Sequence, residues 1–168
     1  LLVAGLDENG AILVIPAGSG SGKIVARRLA ATAALRGRKV VMMDWIAEPR
    51  GAKAEKHHGE EGVQSSRLVP ASQGEAAPYM IWHGNGGGPV AAREALAEME
   101  DGDALVIVAL PSLDHPITVA LLDRGRRVVL VTRENDTRRR DLVAARSTLE
   151  RVGVSATAIV LVDSDEDA

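Results

Sequence analysis

The chain has 168 residues, of which 46% are hydrophobic, and its formal net charge is −3. A chain of this length can bury one substantial core, so we expect a single domain over residues 1–168. The small negative charge excludes a strongly basic nucleic-acid-binding surface, and the absence of cysteine excludes disulfides and cysteine-ligated zinc.

The chain opens with an apolar segment, Leu1-Leu2-Val3-Ala4-Gly5-Leu6, that has no initiating methionine. We interpret residues 1–10 as the end of an N-terminal helix that begins further upstream. No run of about 18 apolar residues follows, so none of these residues is expected to span a membrane.

A βαβ unit is predicted next. Residues 11–15 are a short continuous apolar run that ends at Pro16, which is typical of a strand buried on both faces. A helix is predicted from Lys23 to a C-terminal glycine at Gly37, followed by a second buried strand over residues 39–44.

The remaining elements continue this alternation. Residues 46–78 are predicted to be a loop-rich insertion with one short helix near 61–68, because they lack periodicity. Strands are predicted at 79–82, 105–110, 128–131 and 158–162, and helices at 89–100, 115–122 and 137–152, the last capped by Asp136 and Thr137. The pattern predicts an α/β fold of three layers, a mostly parallel sheet flanked by helices.

The loop between the first strand and the first helix is rich in glycine. Its sequence is Gly18-Ser19-Gly20-Ser21-Gly22-Lys23, followed by Ile24. Backbone N–H groups and a helix N-terminus in this position can surround a phosphate, and a lysine can reach it. The loop matches a P-loop except that the first glycine of the pattern is Ala17 and the metal-binding Ser or Thr is Ile24.

A dinucleotide site of the Rossmann type is the alternative. Gly18 and Gly20 begin a G-x-G pattern, and Asp44 ends the second strand where a ribose-binding acid would lie. The third glycine of that fingerprint is replaced by Lys23, which favours the P-loop.

Four blocks of sequence, at residues 18–23, 39–44, 101–111 and 128–142, resemble one known family in their order and spacing. The chain is similar to the cytoplasmic domains of the bacterial tyrosine kinases (BY-kinases) of polysaccharide chain-length and export proteins, which are relatives of the ParA/MinD ATPases. The resemblance implies a P-loop NTPase fold, ATP or ADP as candidate ligands, and a phosphate site at Gly18, Ser19, Gly20, Ser21, Gly22, Lys23 and Ile24.

The departures from the family concern its Mg²⁺ site. The resemblance places the metal-handling groups at Ile24, at Asp44 with Ile46, and at Val108, so that only Asp44 is an acid. Hydrocarbon side chains cannot bind a divalent cation or neutralise charge during phosphoryl transfer. We therefore expect no bound Mg²⁺ and no catalytic residue, with Asp44 as the one residual catalytic candidate.

The resulting hypothesis is a non-catalytic regulatory or scaffold module in exopolysaccharide biosynthesis and export. Its expected location is the cytoplasmic face of the inner membrane. The expected partner is a membrane-spanning portion of the same polypeptide or a partner export protein, with self-association left open and no nucleic acid. The alternatives are an active kinase or ATPase that completes its site with residues such as Glu48, Glu60 or Glu61 or from a neighbouring subunit, and a ParA/MinD-like localisation ATPase.

Overall fold

The computed structural model describes residues 10–18, 22–45, 67–70, 79–84, 88–123, 126–134 and 136–163. It contains the strands β1 (Gly10–Pro16), β2 (Val40–Trp45), β3 (Arg67–Pro70), β4 (Met80–Gly84), β5 (Leu105–Ala109), β6 (Arg127–Arg133) and β7 (Ala156–Val162). The helices are α1 (Lys23–Leu35), α2 (Pro89–Glu100), α3 (Pro116–Leu121) and α4 (Arg139–Arg151).

The described strands form one sheet in the order β3-β4-β2-β5-β1-β6-β7. All neighbouring pairs are parallel except β3 and β4, which are antiparallel. The predicted α/β architecture with a mostly parallel sheet is confirmed. Because β1 lies near the centre of the sheet, the glycine-rich loop that follows it starts at the carboxyl edge, where ligands of such sheets bind.

The two faces of the sheet have separate cores. On one face α1 packs through Val25, Ala26 and Leu29 against residues that include Val14 and Ile107. On the other face α2, α3 and α4 cover a second apolar cluster of strand residues. Strands buried on both faces have few polar positions, which explains why their sequences are nearly unbroken runs of Val, Leu, Ile and Ala.

Helix α1 ends as its sequence predicts. Gly37 has a φ of 80°, and its N–H donates to the carbonyl of Ala34, while the N–H of Arg38 donates to the carbonyl of Ala33. This pair of bonds is the Schellman arrangement, which requires a left-handed residue after the C-cap. It directs the chain from α1 into β2.

Two local predictions were wrong. Arg67 and Leu68, the end of the short helix predicted near 61–68, belong to β3 and pair with His83 and Trp82 of β4. Residues 61–66 lie outside the described part of the chain.

Helix α4 also begins differently from the prediction. Its N-cap is Arg138, whose N–H donates to Oδ2 of Asp141 at 2.9 Å. Thr137 instead accepts a hydrogen bond from the N–H of Arg133 at 2.8 Å and closes the turn after β6. An acid in the first helical turn has taken over the capping role, where it also complements the helix dipole.

Candidate functional site

The glycine-rich loop is attached firmly at both described ends. At its start, the N–H of Ala17 donates to the carbonyl of Val131 at 2.8 Å, which ties the end of β1 to β6. At its end, a Cβ on Gly22 would lie 3.2 Å from the carbonyl oxygen of Val14. A side chain here would force β1 to shift, so glycine is favoured where the chain passes so close to β1 on its way into α1.

Helix α1 begins beside this close approach. Gly22 is the N-cap residue, and its carbonyl accepts the first helical hydrogen bond, from the N–H of Ala26 at 2.9 Å. A glycine has no side chain with which to cap the helix, so Gly22 itself does not compete with a ligand for the N–H groups of the first turn. That arrangement suits an anion.

Lys23, the first residue of α1, forms an ion pair with Oδ2 of Asp44 near the end of β2. The side chain of Asp44 is 7% exposed and that of Lys23 is 37% exposed. The lysine that would bind a phosphate thus already has an anionic partner, and that partner belongs to the protein. The two site residues predicted separately from the sequence are in direct contact.

Hydrocarbon occupies the places where metal ligands are expected. Ile24 is half-buried in the first turn of α1, and Val108 is fully buried in the core beneath α2, α3 and α4. The residue of β5 in register with Asp44 is Ala109, which lies on the face covered by α1. Neither Val108 nor Ala109 can donate an oxygen, so the described residues do not fit a Mg²⁺ ion beside Lys23.

A second carboxylate lies at the start of the loop. A Cβ on Gly18 would lie 3.7 Å from Oγ1 of Thr137 and 3.9 Å from Oδ2 of Asp141. Asp141 is at the N-terminus of α4, where it accepts the hydrogen bond from Arg138. The two described ends of the loop thus each lie near a carboxylate, Gly18 near Asp141 and Lys23 against Asp44. Both carboxylates would repel a phosphate that arrives without a metal ion.

A cavity of about 600 Å³ opens beside Gly18, between the end of β5, α3 and α4. Its polar lining comes from Ser112, Asp114, Asp141, Thr148 and Arg151. The Ser112 hydroxyl donates to Oδ1 of Asp114, and Nδ1 of the neighbouring His115 accepts from the N–H of Ile117, at the start of α3. His115 therefore caps α3. Serine, aspartate and histidine are residue types found in catalytic triads, but here the Ser112 hydroxyl bonds to Asp114 and not to His115, so Ser112 and His115 do not form a nucleophile–base pair.

Several predicted residues lie outside the described part of the chain: Ser19, Gly20, Ser21, Ile46, Glu48, Glu60 and Glu61. Sequence reasoning missed the roles of Ala109 and Asp141. Ala109 is identified by the register between β2 and β5, which no local pattern reveals. Asp141 had one signal, an acid near the start of a predicted helix.

Comparison with known proteins identifies the fold. No family model and no curated protein matches the sequence. Among solved structures, the kinase domain of VpsO superposes with a TM-score of 0.69 at 19% identity, covering 98% of this chain and 90% of that one. The kinase domain of the Escherichia coli tyrosine kinase ETK gives 0.63 at 18% identity, covering 94% and 69%. The BceF tyrosine kinase domain gives 0.57 at 15% identity, covering 96% and 72%.

These neighbours confirm the predicted resemblance at the level of the fold. The chain has a BY-kinase-like α/β fold, and its identity to these domains, below 20%, carries no information on activity. Within the described residues, no helix is long and apolar enough to cross a bilayer. In that same part of the chain, no three His, Asp or Glu side chains are grouped so that they could hold a metal ion.

Proposed function

We propose that this domain is a non-catalytic regulatory or scaffold module of the BY-kinase type in exopolysaccharide biosynthesis and export. The observation that supports it is the contact between Lys23 and the buried Asp44 in a site with apolar residues at Ile24, Val108 and Ala109. We place the module at the cytoplasmic face of the inner membrane, joined to a membrane-spanning portion of the same polypeptide or to a partner export protein.

The electrostatics of the site favour this proposal. Phosphoryl transfer requires cations that neutralise the charge developing on the phosphate oxygens. Lys23 shares its charge with Asp44, and Asp141 adds a second negative charge near Gly18. Loss of one well-placed electrostatic group typically raises a reaction barrier by about 2.7–4 kcal/mol. Several such losses leave little turnover.

The competing function is an active ATPase or tyrosine kinase that takes the missing acids from other residues or from a neighbouring subunit. Its support is that Lys23 and Asp44 are retained and lie together at the carboxyl edge of the sheet. A ParA/MinD-like localisation ATPase is a third function, which the same apolar positions disfavour because it requires a nucleotide-gated dimer.

Phosphate release separates the first two functions. We expect the wild-type protein and its Lys23→Ala variant to release phosphate from ATP, with magnesium present, at the same background rate. Incorporation of labelled phosphate into the protein should likewise be equal. A wild-type rate at least about tenfold above that of Lys23→Ala, equivalent to 1.4 kcal/mol of barrier, would establish the active enzyme.

The scaffold role is tested in cells that carry the whole gene. Lys23→Ala in the chromosomal copy should leave polysaccharide export unchanged, whereas deletion of residues 10–163 should reduce it. The variant's abundance, measured by immunoblot, serves as the control for folding. Equal loss of export in both strains at normal protein abundance would contradict a non-catalytic role.

A further inference from the structure

The two edges of the sheet differ in how well they resist pairing with another strand. At one edge, the sequence of β3 is RLVP, which includes a charged residue and a proline, residue types that are common in edge strands that resist pairing. At the other edge, β7 has the sequence ATAIVLV and contains neither charge nor proline. Among the described strands β7 pairs with β6 alone. Within the described part of the chain, no strand pairs with the outward row of its backbone N–H and C=O groups.

The face of β7 next to α4 is also apolar. Ile159 and Leu161 pair with Leu130 and Thr132 of β6, so they share one face of the sheet. They are 61% and 67% exposed, and Val143 of α4 is exposed as well. Exposed apolar residues at single positions are common, but here they adjoin an unpaired strand edge.

A groove continues this apolar face. A cavity of about 420 Å³ lies between α4 and β7, and its apolar lining includes Leu130, Leu142, Leu149, Val154 and Ile159. On its rim, Nε of Arg146 contacts Oε1 of Glu150 at 2.7 Å, so these opposite charges compensate each other. We name the surface formed by β7 and this groove the β7 face.

We propose that the β7 face binds a second copy of this chain, with the two β7 strands antiparallel across a two-fold axis. The charge distribution selects this occupant and this direction. An uncharged strand can meet its own copy without opposing like charges. The segment 163–167, in which four of the five residues are acidic, follows β7 directly. Parallel pairing would bring the two acidic ends together, whereas antiparallel pairing places them at opposite ends of the interface.

The axis is expected to pass beside Val160. In that register Val160 faces its own counterpart, and Ile159 of each copy lies opposite Leu161 of the other. Residues directly opposite in an antiparallel pair have Cβ atoms about 4.5–5.5 Å apart, so the most exposed side chains of the strand bury each other. The sheet would continue through the dimer.

The size of the face predicts a weak dimer. A strand of seven residues is about 24 Å long, and α4, with 13 residues, is about 20 Å long. The contact surface is therefore limited to one strand edge and the flank of one helix, which is small beside the roughly 800 Å² per partner of a standard interface. A dissociation constant in the micromolar range is expected.

Sedimentation equilibrium tests the proposal directly. Between about 10 and 500 μM, the wild-type protein should shift from monomer to dimer. Leu161→Lys should weaken the dimer at least about tenfold, because it brings a charge against Ile159 of the second copy. The matched control is Leu35→Lys at the end of α1, where the leucine is equally exposed, at 66%, but lies far from β7 in the fold. This control should dimerise like the wild type.

A cross-link tests the register. The chain has no cysteine, so Val160→Cys introduces a single thiol, and diamide would accept the two electrons and two protons released when two such thiols form a disulfide. Val160→Cys should form a covalent dimer faster than Leu35→Cys. A monomeric wild type at about 500 μM, equal dimerisation of the two lysine variants, or equal cross-linking of the two cysteine variants would overturn the proposal.

Discussion

The two side chains of the ion pair, Lys23 and Asp44, differ in their exposure to solvent. The carboxylate of Asp44 is almost fully enclosed, whereas the side chain of Lys23 reaches solvent over a third of its surface. Water can solvate the lysine if its partner is removed, but it cannot reach the carboxylate as easily. A charge left buried without its partner costs far more than an exposed one.

Stability measurements should show this asymmetry. We expect Lys23→Met to lower the free energy of unfolding by about 2–3 kcal/mol, because it removes the partner of a buried carboxylate. Asp44→Asn should cost less than about 1 kcal/mol, because its lysine remains partly solvated. Urea denaturation followed by tryptophan fluorescence is suitable, since Trp45 lies next to Asp44 and packs against Trp82 with ring centroids 5.1 Å apart. Equal losses for the two variants would show that Asp44 is not dependent on Lys23.

Asp44 should also act as an internal competitor of phosphate. Removal of its charge by Asp44→Asn frees Lys23, so we expect magnesium-free ADP to bind the variant at least about tenfold more tightly than the wild type, a difference of 1.4 kcal/mol. The double variant Lys23→Met/Asp44→Asn is the control and should lose the gain. Equal ADP affinity in the wild type and Asp44→Asn, measured by calorimetry, would show that the pair does not obstruct the loop.

A substitution at Gly22 tests how closely the end of the loop approaches β1. Gly22→Ala places a Cβ against the backbone of Val14, which cannot move without distorting the centre of the sheet. We expect a loss of about 1–2 kcal/mol in the free energy of unfolding. Gly88→Ala, where the added Cβ meets nothing within 4 Å, is the control and should cost clearly less. Equal costs would mean that the approach to Val14 is not close.

At the scale of the elements, the connection from α1 to β2 rests on the left-handed conformation of Gly37. Gly37→Ala should lower the free energy of unfolding by about 1 kcal/mol, because an added Cβ is strained at a φ of 80° although the space around it is open. Gly37→Asn should recover part of this loss, since asparagine tolerates the left-handed region. Denaturation of the two variants provides the comparison, and an asparagine variant less stable than the alanine variant would contradict this explanation.

The elements also show what sequence reasoning could predict and what it could not. Helices α1 and α2 and the central strands were predicted within one or two residues, because their apolar patterns and their Gly and Pro boundaries are local signals. Strand β3 was missed because it forms only by pairing with β4, a non-local interaction that leaves no periodic signal in four residues. The cap of α4 was misplaced because the Thr137 hydroxyl accepts a hydrogen bond from Arg133 in the turn after β6, while Asp141 accepts the one from Arg138.

At the scale of the whole molecule, the alternation of buried strands and helices predicted the parallel sheet and located the loop at its carboxyl edge. The sequence identified Lys23 and Asp44 as site residues, but it could not predict their contact. Lys23 follows β1 and Asp44 lies in β2, and these two strands are separated by β5, so their relative position is defined only in the folded sheet. The register between β5 and β2 likewise determines which residue of β5 lies opposite Asp44. The sheet depends on apolar strands, whereas any chemistry at its carboxyl edge depends on a few polar side chains, so the fold by itself does not determine the activity.

The most direct test of this account is the magnesium dependence of nucleotide binding. The wild-type protein is titrated with ATP and with ADP, each with and without Mg²⁺, and binding should be equally weak or absent under both conditions. The reason is that Asp44 is the one described side chain beside Lys23 with an oxygen for the metal, and Asp44 is paired with the lysine itself. Micromolar affinity that appears only when magnesium is added would contradict the account.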